Sequence, residues 1–143
     1  MPAILSIILI SGCVSPETRL QQGKRSLERG NYERAIKEFK KASKKEDGDI
    51  YFYIDAYSHL GDAYTHSRQV TEAASVYRSA LQMIYLKMRE ISALRQELRR
   101  DVNFNPDVKV GNVQNEDMRL ADEYWRLKEK GEAIKGKLQK ITP

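Results

Sequence analysis

The chain has 143 residues, 41% of them hydrophobic and 31% charged, with eight glycines, four prolines and a single cysteine. That is the size and composition of one modest, mostly helical domain, and a lone cysteine excludes an intrachain disulfide. Twenty acidic residues interleave with twenty-five basic ones for a formal charge of +5, so no large single-sign field forms and no nucleic-acid partner is expected.

The N-terminus is apolar from Ile4 to Ile10 apart from Ser6, and Ile10-Ser11-Gly12-Cys13 ends the run before Val14-Ser15-Pro16-Glu17 turns polar. Such a run is too short to span a bilayer, which takes about 20 residues in a helix. It resembles the signal peptide and lipobox of bacterial lipoproteins, with isoleucine in place of the usual leucine and no Lys or Arg ahead of the run. The resemblance implies that residues 1–12 are cleaved, that Cys13 is lipidated and acylated, and that residues 13–15 form a short linker. With more than one acyl chain and about 0.8 kcal/mol per buried CH₂, such attachment is stable. Val14 is not the aspartate that resembles an inner-membrane retention signal. The implied location is therefore the bacterial envelope, at the outer membrane facing the periplasm.

Ser15-Pro16-Glu17 supplies an N-cap, a proline suited to the first turn and an acid that favours the helix dipole. A first helix is predicted from Pro16 to Arg29, stopping at Gly30. Asn31 caps a second, from Tyr32 to Lys45, with Ala35, Ile36, Phe39 and Ala42 on one face. After a turn at Glu46 to Asp49, Asp49 caps a third helix from Ile50 to Ser67. Thr71 is the expected cap of a fourth, which meets no breaker before about Arg100. Asn105-Pro106 and Gly111-Asn112 mark a loop at 102–115, and a fifth helix follows from Glu116 to Ile141.

Two patterns overlie these helices. Gly23, Ala35, Phe39 and Ala42 recur 38 residues later as Gly61, Ala73, Tyr77 and Ala80. Small residues admit close helix approach and the aromatic fills the space between, so a helical hairpin occurs twice. The second pattern is a pair of stripes with the 3.5-residue period of a coiled-coil seam. One is Tyr77, Leu81, Ile84, Met88, Ile91 and Leu98, interrupted by Arg95; the other is Leu120, Tyr124, Leu127, Ile134, Leu138 and Ile141, interrupted by Gly131. They predict that the two long helices fold back on each other.

The sequence Tyr57-x₂-Leu60-Gly61-x₂-Tyr64, followed by Ala73-x₃-Tyr77 and Ala80, resembles the tetratricopeptide repeat, with tyrosine in the tryptophan place. The first copy keeps Gly23, Gly30-Asn31-Tyr32, Ala35, Phe39 and Ala42. It carries Arg19 and Gln22 where large apolar residues are usual, which predicts a loosely packed first helix. Neither copy has the closing proline; Asp47 and Tyr85 stand there, so nothing stops the fourth helix. The expected fold is all-α: repeats at 16–49 and 54–87, then an extended helix, loop and C-terminal helix over 88–143, together a short α–α superhelix. Two repeats are marginal without a third layer, which the C-terminal hairpin is expected to supply.

The family resemblance implies an adaptor whose inner helices line a groove for a partner protein, carrying no catalysis and no cofactor. That groove would present Leu20, Lys24, Leu27 and Glu28 from the first repeat, and Asp55, Ser58, Asp62, Thr65 and His66 from the second. Lys24, Asp62, Thr65 and His66 are the expected contacts. The function implied is a lipid-anchored periplasmic adaptor in an envelope assembly such as a secretion, pilus or outer-membrane machine. The alternatives are a subunit that self-associates through Ile84, Met88, Leu127 and Ile134, or an accessory factor of an envelope enzyme acting on glycan or lipid. His59 and His66 are two turns, about 10 Å, apart on one helix, too far to share a metal unaided. The glycines form no phosphate-binding loop.

Overall fold

A computed structural model describes residues 14–44, 49–104 and 110–142, with residues 101–104 described by backbone alone. Cys13 and the apolar run before it lie outside the described residues, as do residues 45–48 and 105–109. The helices are α1 (Pro16–Glu28), α2 (Tyr32–Ala42), α3 (Ile50–His66), α4 (Val70–Phe104) and α5 (Val110–Ile141). Ser15, Asn31 and Asp49 cap the first three through side-chain oxygens that accept from Thr18, Arg34 and Tyr51 N–H groups.

Several boundaries differ from those expected, and α2 ends at Ala42, with Ser43 as its C-cap, short of the expected Lys45. The fourth helix starts at Val70, ahead of the Thr71 cap, because the Gln69 carbonyl already accepts the Ala73 N–H at 3.0 Å. It then runs 35 residues to Phe104, and α5 begins at Val110, so residues 102–104 and 110–115 of the expected loop are helical. A long-range tie acts at this end: Arg95 donates two hydrogen bonds to Asp117, at 2.7 and 3.3 Å, and Arg99 adds a third. These bonds hold the early turns of α5 against α4 despite Gly111 and Asn112.

The 38-residue repeat is reproduced bond for bond at the hairpin turns. Asn31 N–H donates to Ser26 and Gly30 N–H to Leu27, at 2.9 and 3.0 Å; Gln69 donates to Tyr64 and Arg68 to Thr65, at 2.9 and 3.1 Å. Both are Schellman closures, in which one residue takes the left-handed conformation. In the first copy it is Gly30 at φ +73°; in the second it is Arg68 at φ +63°. A side chain there is strained, and glycine relieves that strain. Arg68→Gly is therefore expected to raise stability by roughly 0.5–1 kcal/mol in urea unfolding; a loss would show that the second turn is held differently from the first.

The packing repeats as well. A Cβ placed on Gly23 would stand 2.6 Å from Cδ1 of Phe39, and one on Gly61 would stand 2.7 Å from Cδ1 of Tyr77. Only glycine lets each ring lie flat on the first helix of its hairpin. Ala35, Phe39, Ala42, Leu60, Tyr64, Ala73, Tyr77 and Ala80 are buried in one continuous core, and Tyr57 packs half-buried against it.

The first helix is not loose. Leu20, Gly23 and Ser26 are buried, and Arg19 reaches across to Glu38 at 3.2 Å. Glu38 also faces Lys41 at 3.8 Å. Charge thus supplements Leu20 in tying α1 to α2 at this edge of the stack.

At the other edge α4 and α5 pack antiparallel along the two predicted stripes. Ile84, Ile91, Leu127 and Ile134 are each at most 1% exposed, with Met88, Leu98 and Tyr124 half-buried beside them. Gly131, which interrupts its stripe, makes room for Ile84, whose Cγ2 would lie 3.4 Å from an added Cβ. The stripes are thus buried within one chain, and Ile84, Leu127 and Ile134 offer no surface for self-association.

Candidate partner-binding surface

α1, α3 and α5, the first helices of three successive layers, are joined side by side through charged groups. Lys24 of α1 and Lys130 of α5 both donate to the Asp55 carboxylate of α3, at 3.0 and 2.7 Å. One heptad further on, Lys137 donates to both Asp62 oxygens at 2.8 Å, while the Tyr77 hydroxyl of α4 donates to Oδ1 at 2.7 Å. At the start of α3 the Tyr51 hydroxyl donates to Glu123 of α5. Asp55 and Asp62 are seven residues apart, as are Glu123, Lys130 and Lys137 in succession. That common spacing, on helices running in the same direction, keeps the rungs in register over two turns at a time.

His59 sits at the centre of this array. Its ring stacks on Phe39, with centroids 5.7 Å apart, and the Asp55 and Asp62 carboxylates stand 3.7 and 3.9 Å from its two ring nitrogens. Burial depresses the His59 pKa, helped by Lys24 and Lys137 and opposed by Asp55 and Asp62. Burial raises the Asp55 pKa, but the hydrogen bonds from Lys130 and Lys24 outweigh it and bring the carboxyl to about 2.

Two acid-sensitive windows follow. The unfolded chain binds a proton at His59 near pH 6.5, before the folded one does, so this contribution to stability is complete above that pH and is lost as the pH falls to the depressed folded value. The Asp55 contribution is complete above about pH 4 and is lost on the way down to about 2. Urea unfolding at pH 7.5 and 5.5 is expected to show a larger drop for the wild-type chain than for His59→Phe; equal drops would remove His59 from the account.

The four expected contact residues divide. Lys24 and Asp62 are already engaged in the ion-pair array. Thr65 donates to the Gly61 carbonyl at 2.9 Å and lies 3.5 Å from the Tyr77 hydroxyl, so it adjoins Asp62. His66 is apart and exposed, its ring stacked on Tyr32 of α2 at 5.3 Å. Leu20 and Ser58, expected to face the groove, are buried instead, at 7% and 8% exposure. Tyr51, at the start of α3, is tied to Glu123.

Lys130, Lys137 and the central place of His59 were not anticipated; the shared seven-residue spacing was the available signal. Beside the array lies an open cleft of about 580 Å³ between Tyr51 of α3 and Arg119, Glu123, Arg126 and Lys130 of α5. Among the described residues no three His, Cys, Asp or Glu side chains are grouped as metal ligands, and no helix is long and apolar enough to cross a membrane.

The family model of the tetratricopeptide repeat matches residues 54–90. This segment is a tetratricopeptide repeat. It takes in α3 from Ile54 and the first part of α4, and so contains Asp55, His59, Asp62, Thr65 and His66. Such repeats stack into concave binding surfaces, and the match suggests a role in protein–protein interaction. The first hairpin shares the geometry of the repeat at its turn and at its glycine–aromatic contact. α5 follows as the first helix of a third layer. No curated protein matches the chain.

Proposed function

We propose that the chain is a lipid-anchored adaptor of the bacterial envelope that holds a partner protein against the face formed by α1, α3 and α5. The observation that carries this reading is the tetratricopeptide repeat extended by α5 into a third parallel helix, since three such helices make a face long enough for a peptide segment. The floor of that face alternates in sign: Lys24, Asp55, Lys130, then Asp62 and Lys137. It suits a segment that carries charges of both signs and can exchange with these internal pairs. The anchor rests on Ile10-Ser11-Gly12-Cys13, and an envelope assembly is the setting that such an anchor implies.

A photo-crosslinking residue at Thr65, on this face, is expected to capture one discrete partner in the native envelope, while the same residue at Gln139 on the outer side of α5 captures none. Equal capture from both positions, or none from Thr65, would refute the groove. Palmitate incorporated by the wild type and absent from Cys13→Ala is the expected result for the anchor; equal incorporation would exclude it.

A further inference from the structure

α4 turns a second surface to solvent, away from Tyr77, Ala80 and Ile84. Tyr85 and Leu86 form its centre, with Leu81 half-buried between them and the core, and Arg78 and Arg89 its two ends, around an open trough of about 460 Å³ lined by α4 alone. Tyr85 and Leu86 are 59% and 56% exposed, a pair of large apolar side chains one turn from a buried core. Tyr85 also stands where the repeat pattern would close with proline, so the helix carries its apolar outer face on without interruption.

One observation says what covers this surface, and it is charge. Lys87, Arg95 and Arg99 of the same α4 are each paired with an acid, but Arg78 and Arg89 make no ion pair among the described residues. They lie eleven residues apart in sequence, about 16 Å along the helix. A second copy of the same patch would bring arginine against arginine, in either orientation, and is disfavoured.

We propose that this face of α4 docks an amphipathic helix of a partner protein, one that carries apolar side chains between acidic residues about three turns apart. Leu81, Tyr85 and Leu86 receive the apolar stripe, while Arg78 and Arg89 pair with the acids and fix its register. The inference adds a second surface to the adaptor reading and does not depend on the lipid anchor or on the α1–α3–α5 face.

The test uses the full chain and a display library of 18-residue helical peptides with randomised outer positions. Enriched peptides are expected to carry acidic residues flanking an apolar stripe. They should lose about tenfold or more in affinity for the Arg78→Glu/Arg89→Glu variant and for Leu86→Ser, a loss of about 1.4 kcal/mol or more. The Arg25→Glu/Arg29→Glu variant makes the same change in net charge elsewhere, and binding to it should be unchanged. An enriched pool without acidic flanks, or an equal loss on the Arg25/Arg29 variant, would overturn the proposal. So would a wild-type mass that doubles in solution and returns to monomer in Leu86→Ser, since the occupant would then be a second copy. Failure of the Thr65 crosslink leaves this readout intact, so the two readings fall separately.

Discussion

Tyr77→Ala is expected to cost about 4 kcal/mol in urea unfolding, among the largest losses available to a single substitution in this chain. Tyr77 is 1% exposed, its ring fills the space left by Gly61, and its hydroxyl donates to Asp62, which in turn receives Lys137. One side chain therefore ties α4 to α3 and, through Asp62, to α5. Tyr77→Phe isolates the hydroxyl and should cost roughly 1–2 kcal/mol, because Asp62 keeps its lysine. The ring has little freedom to move, so Gly61→Ala is expected to be destabilising even though alanine is the better helix former by about 1 kcal/mol. If Tyr77→Ala lost less than about 1 kcal/mol, the glycine–aromatic contact would not be what holds the hairpin.

The second large effect is at the α4–α5 seam. Ile134 is 1% exposed there, and aspartate in its place would leave a carboxylate buried without a cation. Ile134→Asp is expected to cost about 3 kcal/mol or more, roughly 10 °C in melting temperature for a chain of this size. Light scattering should give the same mass for the variant and the wild type at a temperature where both are folded. A fall in mass with an unchanged melting temperature would instead make Ile134 part of an interface between copies. The two outcomes separate cleanly because the seam is internal in one account and shared in the other.

Local chemistry made most of the fold legible. Ser15, Asn31 and Asp49 are caps by residue type, and the recurrence of Gly23 and Gly61 with Phe39 and Tyr77 exposed the repeated hairpin before any coordinate was needed. The missing proline at Tyr85 correctly implied a fourth helix without an end. What escaped was long-range. Gly111 and Asn112 have the composition of a loop, whereas α5 starts at Val110 and is tied to α4 by the Arg95–Asp117 pairing across the hairpin. Arg19 suggested a loose first helix because its partner, Glu38, comes from the neighbouring helix.

The face of α1, α3 and α5 was legible in outline but not in its internal chemistry. Asp55 and Asp62 were placed on the inner side of α3 from the family pattern, and both are engaged by lysines of α5. Their engagement by Lys130 and Lys137 depends on α5 lying parallel to α3, which no spacing within the repeats encodes. Lys24 and Asp62 consequently serve the stack itself, in internal pairs with Asp55 and Lys137.

α5 as the third layer of the repeat stack should be what protects α3. Hydrogen exchange along α3 in the chain ending at residue 104, set against the full chain, reads this out. The amides from Ile54 to Tyr64 are expected to lose their protection once Lys130, Lys137 and the Ile134 seam are gone. Full protection of those amides in the shortened chain would show that α3 does not depend on α5.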